Sequence, residues 1–180
     1  MRYLDERIES TGFDSDNARE DLPDFRELIR RGESLSEVFS ALTKHLREKF
    51  NIDKGVLVLR QEQSAKLAAV STWENGVCRD GLALGLPKET SLFEQVVRQG
   101  DVYTENFCGG FSGNFFERKL LLDEDSRSFV LQPLKSDGQV VGLLGFSSQT
   151  PTAFAMFEEG TLEPIAEEFA SAIRVGKHRL

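Results

Sequence analysis

At 180 residues, with 39% hydrophobic and 29% charged residues, the chain is long enough to bury about 70% of its unfolded surface as one domain without staples. A net charge of −8 opposes binding to polyanions, and the densest basic group, Arg26, Arg30 and Arg31, lies beside Asp24 and Glu27, so no nucleic-acid partner is expected. The two cysteines, Cys78 and Cys108, are not expected to build a disulfide framework or a four-ligand zinc site, no apolar run approaches a membrane span, and the start lacks a secretory apolar stretch, so a cytoplasmic, non-membrane protein is expected.

Residues 1–33 carry ten acids against six bases and read as an N-terminal helical and acidic extension. Met1, Leu4 and Ile8 fit one helical stripe, and Phe25, Leu28 and Ile29 fit a second after Pro23-Asp24. Ser34-Leu35-Ser36-Glu37 is a capping box. Behind it Leu35, Val38, Phe39, Leu42, Leu46 and Phe50 recur at helical spacing, with Asn51 as a left-handed stop. Gly55 to Leu59 reads as a buried strand, Leu67 to Trp73 as its antiparallel neighbour, and Gly81 to Leu86 as a weak strand or loop. Ser91-Leu92-Phe93-Glu94 repeats the capping logic and opens a short helix with Phe93, Val96 and Val97 inward, ended by Gly100. A short extended piece, Val102 to Thr104, precedes a passage from Phe107 to Phe116 in which four phenylalanines sit among three glycines. A short helix from Phe115 to Leu122 follows, then the acidic run Asp123-Glu124-Asp125.

Asp137-Gly138 between apolar runs predicts a hairpin with a type I′ turn. Counting back from that turn pairs Lys135 with Val140, Leu134 with Val141, Pro133 with Gly142, Leu131 with Leu144 and Phe129 with Phe146. Phe129, Leu131, Leu144 and Phe146 then share one face, and Val130, Leu134, Val141 and Leu143 the other. A hairpin apolar on both faces belongs inside a sheet covered twice. The closing helix runs from about Ala155 to Val175 through Leu162, Ile165, Ala166, Phe169, Ala172 and Ile173, with a kink or fresh start at Glu163 because Pro164 has no N–H to donate. Residues 176–180 are a tail.

This order of elements resembles that of a GAF domain, and the residues carry the resemblance too. Ser91 to Tyr103 is similar to the family's S-L-x-x-x-V-x-x-x-G segment, Ser126 to Leu134 to its R-S-x-x-x-x-P-L strand, and Ala153-Phe154 through Arg174 to its ending. The resemblance spans residues 34–175. It implies an α+β fold, a central antiparallel sheet of five to six strands. The terminal helices cover one face and commonly form a dimer interface, and a small-molecule pocket lies on the other face under loops and a short helix. On that basis the expected function is a non-enzymatic regulatory sensor that binds a small, largely apolar or aromatic ligand and biases the arrangement of helices in a homodimer; the identity of any cofactor or ligand stays open.

The expected ligand-binding set is Trp73, Phe107, Cys108, Phe111, Phe115, Phe129, Leu131 and Phe146, with Phe129, Leu131 and Phe146 as the pocket floor. Glycines allow the Phe107 to Phe116 passage to move, and aromatics supply contact area for a flat ligand. The same phenylalanines could instead fill the pocket, leaving a ligand-free dimerisation or interaction module. Cys78 and Cys108 raise a third possibility, since one GAF branch reduces free methionine-(R)-sulfoxide with pocket cysteines. That chemistry needs an activated thiol and a resolving one, and the branch's third cysteine is missing here. Bilin attachment is not expected, because Cys108 is followed by Gly109 and not by histidine. The cyclic-nucleotide signature is matched only by Asp123-Glu124. His45 and His178 fall outside the implied pocket, and no catalytic triad, phosphate loop or metal-ligand cluster is recognisable.

Overall fold

The computed structural model describes residue 27 and residues 33–106 and 109–175. Apart from Glu27, the expected helices before residue 33 lie outside the described residues, as do the tail, Phe107 and Cys108.

Helix α1 (Leu35–Phe50) opens on the capping box: Ser34 accepts from the Glu37 N–H, and the Glu37 carboxylate takes the Ser34 N–H. It ends at Asn51, in the left-handed region at φ 53°. Strand β1 (Ile52–Arg60) follows, then β2 (Leu67–Glu74), β3 (Val77–Arg79) and β4 (Leu84–Gly85). Helix α2 (Leu92–Gln99), β5 (Tyr103–Glu105) and α3 (Phe115–Leu121) lead into the hairpin of β6 (Ser128–Ser136) and β7 (Gln139–Ser148). A 3₁₀ turn (Ala155–Glu159) ends at Gly160, φ +83°, and α4 (Glu163–Val175) starts afresh. Pro164 thus falls in a first turn, where its missing N–H costs no helix bond.

The strands form one antiparallel sheet in the order β3-β2-β1-β7-β6-β5, with β4 also on β2. Seven strands exceed the five to six expected. The added β3 returns from β2 through Asn75-Gly76, both at positive φ, which is a hairpin signal of the same kind as Asp137-Gly138.

The central turn is where the sequence places it, with Asp137 at φ 51° and Gly138 at φ 77°. The register beyond it is corrected by one residue in β7. Lys135 pairs with Val140, but Leu134 pairs with Gly142, leaving Val141 as an extra, bulged residue. From there Leu131 faces Gly145, Val130 faces Phe146 and Phe129 faces Ser147. A period of two makes a one-residue slip exchange faces, so Leu144 and Phe146 move to the side of Val130 and Leu134, while Leu143 joins Phe129 and Leu131.

The two covers are distinct. Helices α1 and α4 and the 3₁₀ turn bury Phe39, Leu42, Phe154, Phe157 and Phe169 against Leu57, Leu144 and Phe146 on one face. Helices α2 and α3 bury Leu92, Phe93, Val96 and Leu121 against Val56, Val58, Phe129 and Leu131 on the other. Gly142 lets β7 approach β1, because a Cβ there would lie 2.3 Å from the Val58 carbonyl oxygen.

Candidate functional site

The face opposite the terminal helices is built around Phe129, 1% exposed on β6. Tyr103 of the edge strand β5 stacks on it, ring centroids 5.9 Å apart at 26°. Phe111, from the glycine-containing loop before α3, meets it edge-on at 5.6 Å and 66°. Both partners are half-buried, so they close over Phe129 from the solvent side. Register places Glu105 opposite Phe129 on the same face, where its carboxylate accepts from the Tyr103 hydroxyl at 3.3 Å. Burial first, and then the Glu105 charge, raise the Tyr103 phenol above its usual pKa, while a hydrogen bond with Ser112 acts the other way. Phenol, carboxylate and loop hydroxyl therefore converge beside the aromatic group.

Helix α3 is held onto this face by a buried acid. Glu117 caps its own helix by accepting the Asn114 N–H at 3.2 Å, and it also accepts the Leu92 and Phe93 N–H groups of α2 at 2.9 and 3.1 Å. Ser91, the α2 N-cap, donates its hydroxyl hydrogen to the same carboxylate. Asn114 completes the join by donating to the carbonyls of Pro87 and Glu89. The expected reciprocal cap from Glu94 is thus replaced by an acid from another helix. Gly113 permits the approach: a Cβ there would lie 2.5 Å from both Glu117 Oε1 and the Phe111 ring. Further along α3, Leu121 fills the depression left by Gly145, whose added Cβ would lie 3.1 Å from the Leu121 side chain.

The eight expected ligand residues do not gather in one place. Phe111, Phe129 and Leu131 share this face. Phe115 belongs to α3 but points outward, 65% exposed beside the 57% exposed Phe116, with the Lys119 ammonium over its ring. Trp73 and Phe146 are corrected to the terminal-helix face: Trp73 lies buried under the Arg47 guanidinium, and Phe146 stacks on Phe39 of α1. The physical reason is the Val141 bulge for Phe146, and for Trp73 the pairing phase of β2 against β1. Phe107 and Cys108 lie outside the described residues. Sequence reasoning missed Tyr103, Glu105 and Glu117; for Glu117 the available signal was the capping spacing Asn114-x-x-Glu117.

Cys78 is opposite Trp73 in the sheet, on the terminal-helix side, with its thiol directed at the Ser36 carbonyl at 4.0 Å. Burial raises its pKa, the reverse of what an attacking thiol needs. Among the described residues no group of three or more His, Cys, Asp or Glu side chains is placed to hold a metal, and no helix is long and apolar enough to cross a membrane.

Similarity to known proteins bears on the fold and the family. The GAF domain from a phosphoenolpyruvate-protein phosphotransferase of Coxiella burnetii superposes with a TM-score of 0.70 at 17% identity, over 91% of this chain and 96% of that one. The free methionine-R-sulfoxide reductase of Neisseria meningitidis, solved with its substrate, gives 0.68 at 16% identity over 91% and 92%. The GAF domain of a two-component sensor histidine kinase from Bacillus halodurans gives 0.59 at 19% identity over 79% and 98%. At these identities the likeness shows the fold. No curated protein matches the sequence significantly. The family model described as GAF domain matches residues 32–174, most of the chain. With a two-sided antiparallel sheet, its helices divided between the faces, and that match, the chain belongs to the GAF domain family.

Proposed function

We propose that this GAF domain is a non-enzymatic regulatory module, cytoplasmic and homodimeric, that senses a small, largely apolar or aromatic ligand on the α2–α3 face. One observation carries the reading: the ring of Phe111, on a loop with Gly109 and Gly110, is half-buried against the fully buried Phe129. An aromatic side chain lent by a loop is replaceable by an aromatic ligand of similar size, and the cost of displacement is small for a partly exposed group. Coupling to the helices is supported by strand β6. It presents Phe129 to the ligand face and Gln132 to the other, where the Gln132 amide donates to Glu163 at the start of α4 at 3.3 Å. A ligand biases the helix arrangement only by the difference in its affinity for the two states.

The non-enzymatic part of the reading is supported by the position and raised pKa of Cys78. Its test is thioredoxin-coupled turnover of free methionine sulfoxide, expected to be absent in the wild type; turnover that disappears on Cys108→Ser would overturn it. The sensor itself is tested by comparing native and denatured masses of the purified protein and by thermal shifts with 2-phenylethanol and indole. A retained small molecule or a dose-dependent shift is expected. The homodimer is tested by light scattering at tens of micromolar, where a monomeric mass refutes it.

A second reading is favoured by the burial of Phe93, Leu121, Phe129 and Leu131, which already fill the sheet face with the chain's own side chains. On that reading the domain is a ligand-free interaction module. Absence of both a retained molecule and any thermal shift would decide for it.

A further inference from the structure

We propose that the ligand taken on the α2–α3 face is a small aromatic amine, its ring in the place of Phe111 and its ammonium on the Glu105 carboxylate. The inference rests on the sensor reading above and deepens it by naming the ligand's chemistry.

The ring position is set by the aromatic group. Phe129 is stacked against Tyr103 and in edge contact with Phe111. When Phe111 leaves, the surface it uncovers is a phenylalanine ring flanked by a phenol, suited to a single six-membered ring in offset or edge contact. Gly109 and Gly110 directly precede Phe111, and without a Cβ their backbone has the conformational freedom to carry that ring away.

The polar end is set by Glu105. It stands directly across from Phe129 on β5, and paired residues on one face have Cβ atoms about 5 Å apart, so the carboxylate reaches the ring's neighbourhood. Its described hydrogen bond is the long one from the Tyr103 hydroxyl, and among the described residues no lysine, arginine or histidine forms an ion pair with it. A half-buried carboxylate with one weak donor has acceptor capacity left for an N–H donor, and an ammonium next to aromatic faces gains cation–π attraction as well. An anionic ligand at the same place would meet Glu105 at close range. The chain's net charge of −8 acts in the same direction, drawing cations in and repelling anions.

The test uses the full chain and three isosteric probes: phenethylamine, 2-phenylethanol and phenylacetate. Binding is measured by calorimetry and by methyl NMR for wild type, Phe111→Ala and Glu105→Gln. Phenethylamine is expected to bind about tenfold tighter than 2-phenylethanol, the worth of one charge-assisted hydrogen bond, with phenylacetate weakest. Phe111→Ala should tighten both, and Glu105→Gln should abolish the amine preference while leaving 2-phenylethanol bound. Glu105 lies on a short, half-exposed edge strand, so circular dichroism and melting of Glu105→Gln should match wild type. Equal affinity for the three probes, or an amine preference that survives Glu105→Gln, overturns the amine assignment and leaves the aromatic sensor standing. No binding of any probe to wild type or Phe111→Ala overturns the amine assignment, and when no retained molecule is found either it overturns the sensor as well.

Discussion

The carboxylate of Glu117 on α3 receives the hydroxyl hydrogen of Ser91, the N-cap of α2, across 26 residues of sequence. It also receives the Leu92 and Phe93 N–H groups and the N–H of its own cap residue, Asn114. One buried acid thereby serves the N-termini of two helices, and its negative charge suits the positive ends of both. That join fixes α3 over the aromatic group.

Removing it should be costly. Glu117→Ala leaves the buried Leu92 and Phe93 N–H groups and the part-buried Ser91 hydroxyl without this acceptor, and each buried orphan costs about 1–3 kcal/mol, partly relieved by water entering the gap. A net loss of about 3 kcal/mol is expected, or a melting temperature lower by roughly 6–12 °C for a domain of this size. Glu117→Gln keeps one carbonyl acceptor and should lose less. Thermal unfolding followed by circular dichroism checks the order; an unchanged midpoint in the alanine variant would show that the join is unimportant.

Gly142 and Gly145 both face close neighbours on β7, but of different kinds. At Gly142 an added Cβ meets backbone, the Val58 carbonyl oxygen at 2.3 Å, and the β1–β7 pairing must open. At Gly145 it meets the side chains of Val56, Leu121 and Leu131 at 2.9 to 3.2 Å, which can shift by a few tenths of an ångström. Gly142→Ala is therefore expected to cost more than about 3 kcal/mol, and Gly145→Ala about 1–2 kcal/mol, as overpacked cores do. Urea unfolding of the two variants ranks them, and the reverse order would contradict the β1–β7 register.

The elements were legible where the chemistry is local. Ser34 and Asn51 bound α1, Asp137-Gly138 sets the central turn, and Pro164 forces the restart at Glu163. The two-sided burial of the hairpin was legible as well, since Phe129, Val130, Leu131 and Leu134 need apolar surroundings whichever way they point. What could not be read was the bulge. Val141 differs in no chemical way from a regularly paired valine; the bulge is where Gly142 meets the Val58 backbone, and it reversed the faces of Leu144 and Phe146. The ligand face was half legible for the same reason: Phe111, Phe129 and Leu131 lie there, whereas Glu105 and Glu117 read as ordinary surface acids until the sheet and helices bring their partners to them.

Asp53 gives a pH dependence. It is the bulged residue between Ile52 and Lys54 of β1, buried, with Ser126 Oγ 3.0 Å from its carboxylate. Desolvation is the main cause that raises its pKa; Asp123 and Asp125 add to it, and hydrogen bonds from Ser126 and Gln149 oppose it. With the folded value above the unfolded one, the native state holds the extra proton across that interval, so this group's contribution to stability falls as pH rises through it and is most favourable below the unfolded value. Asp53→Asn removes the buried charge and keeps an acceptor for Ser126. It should therefore gain stability relative to wild type at pH 7, with a gain that shrinks toward pH 4. Urea midpoints at the two pH values measure this, and a gain that grows on acidification would contradict the direction.

Phe146 separates stability from ligand binding. It stacks on Phe39, ring centroids 6.2 Å apart at 18°, between β7 and α1, and Gly55 of the neighbouring strand makes room for it: an added Cβ there would lie 3.2 Å from the Phe146 ring. Phe146→Leu keeps most of the apolar volume but loses the aromatic stack and leaves a small void, a loss of about 1–2 kcal/mol. Phe129→Leu removes the ring that Tyr103 and Phe111 both contact, on the opposite face of the sheet. The two variants should therefore lose similar stability, while 2-phenylethanol binding weakens several-fold in Phe129→Leu and stays at the wild-type level in Phe146→Leu. Calorimetric titration of both reads the difference directly. If Phe146→Leu weakened binding as much as Phe129→Leu, the ligand would lie on the terminal-helix side, where Trp73 and Phe146 are, and Phe111 would not mark its place.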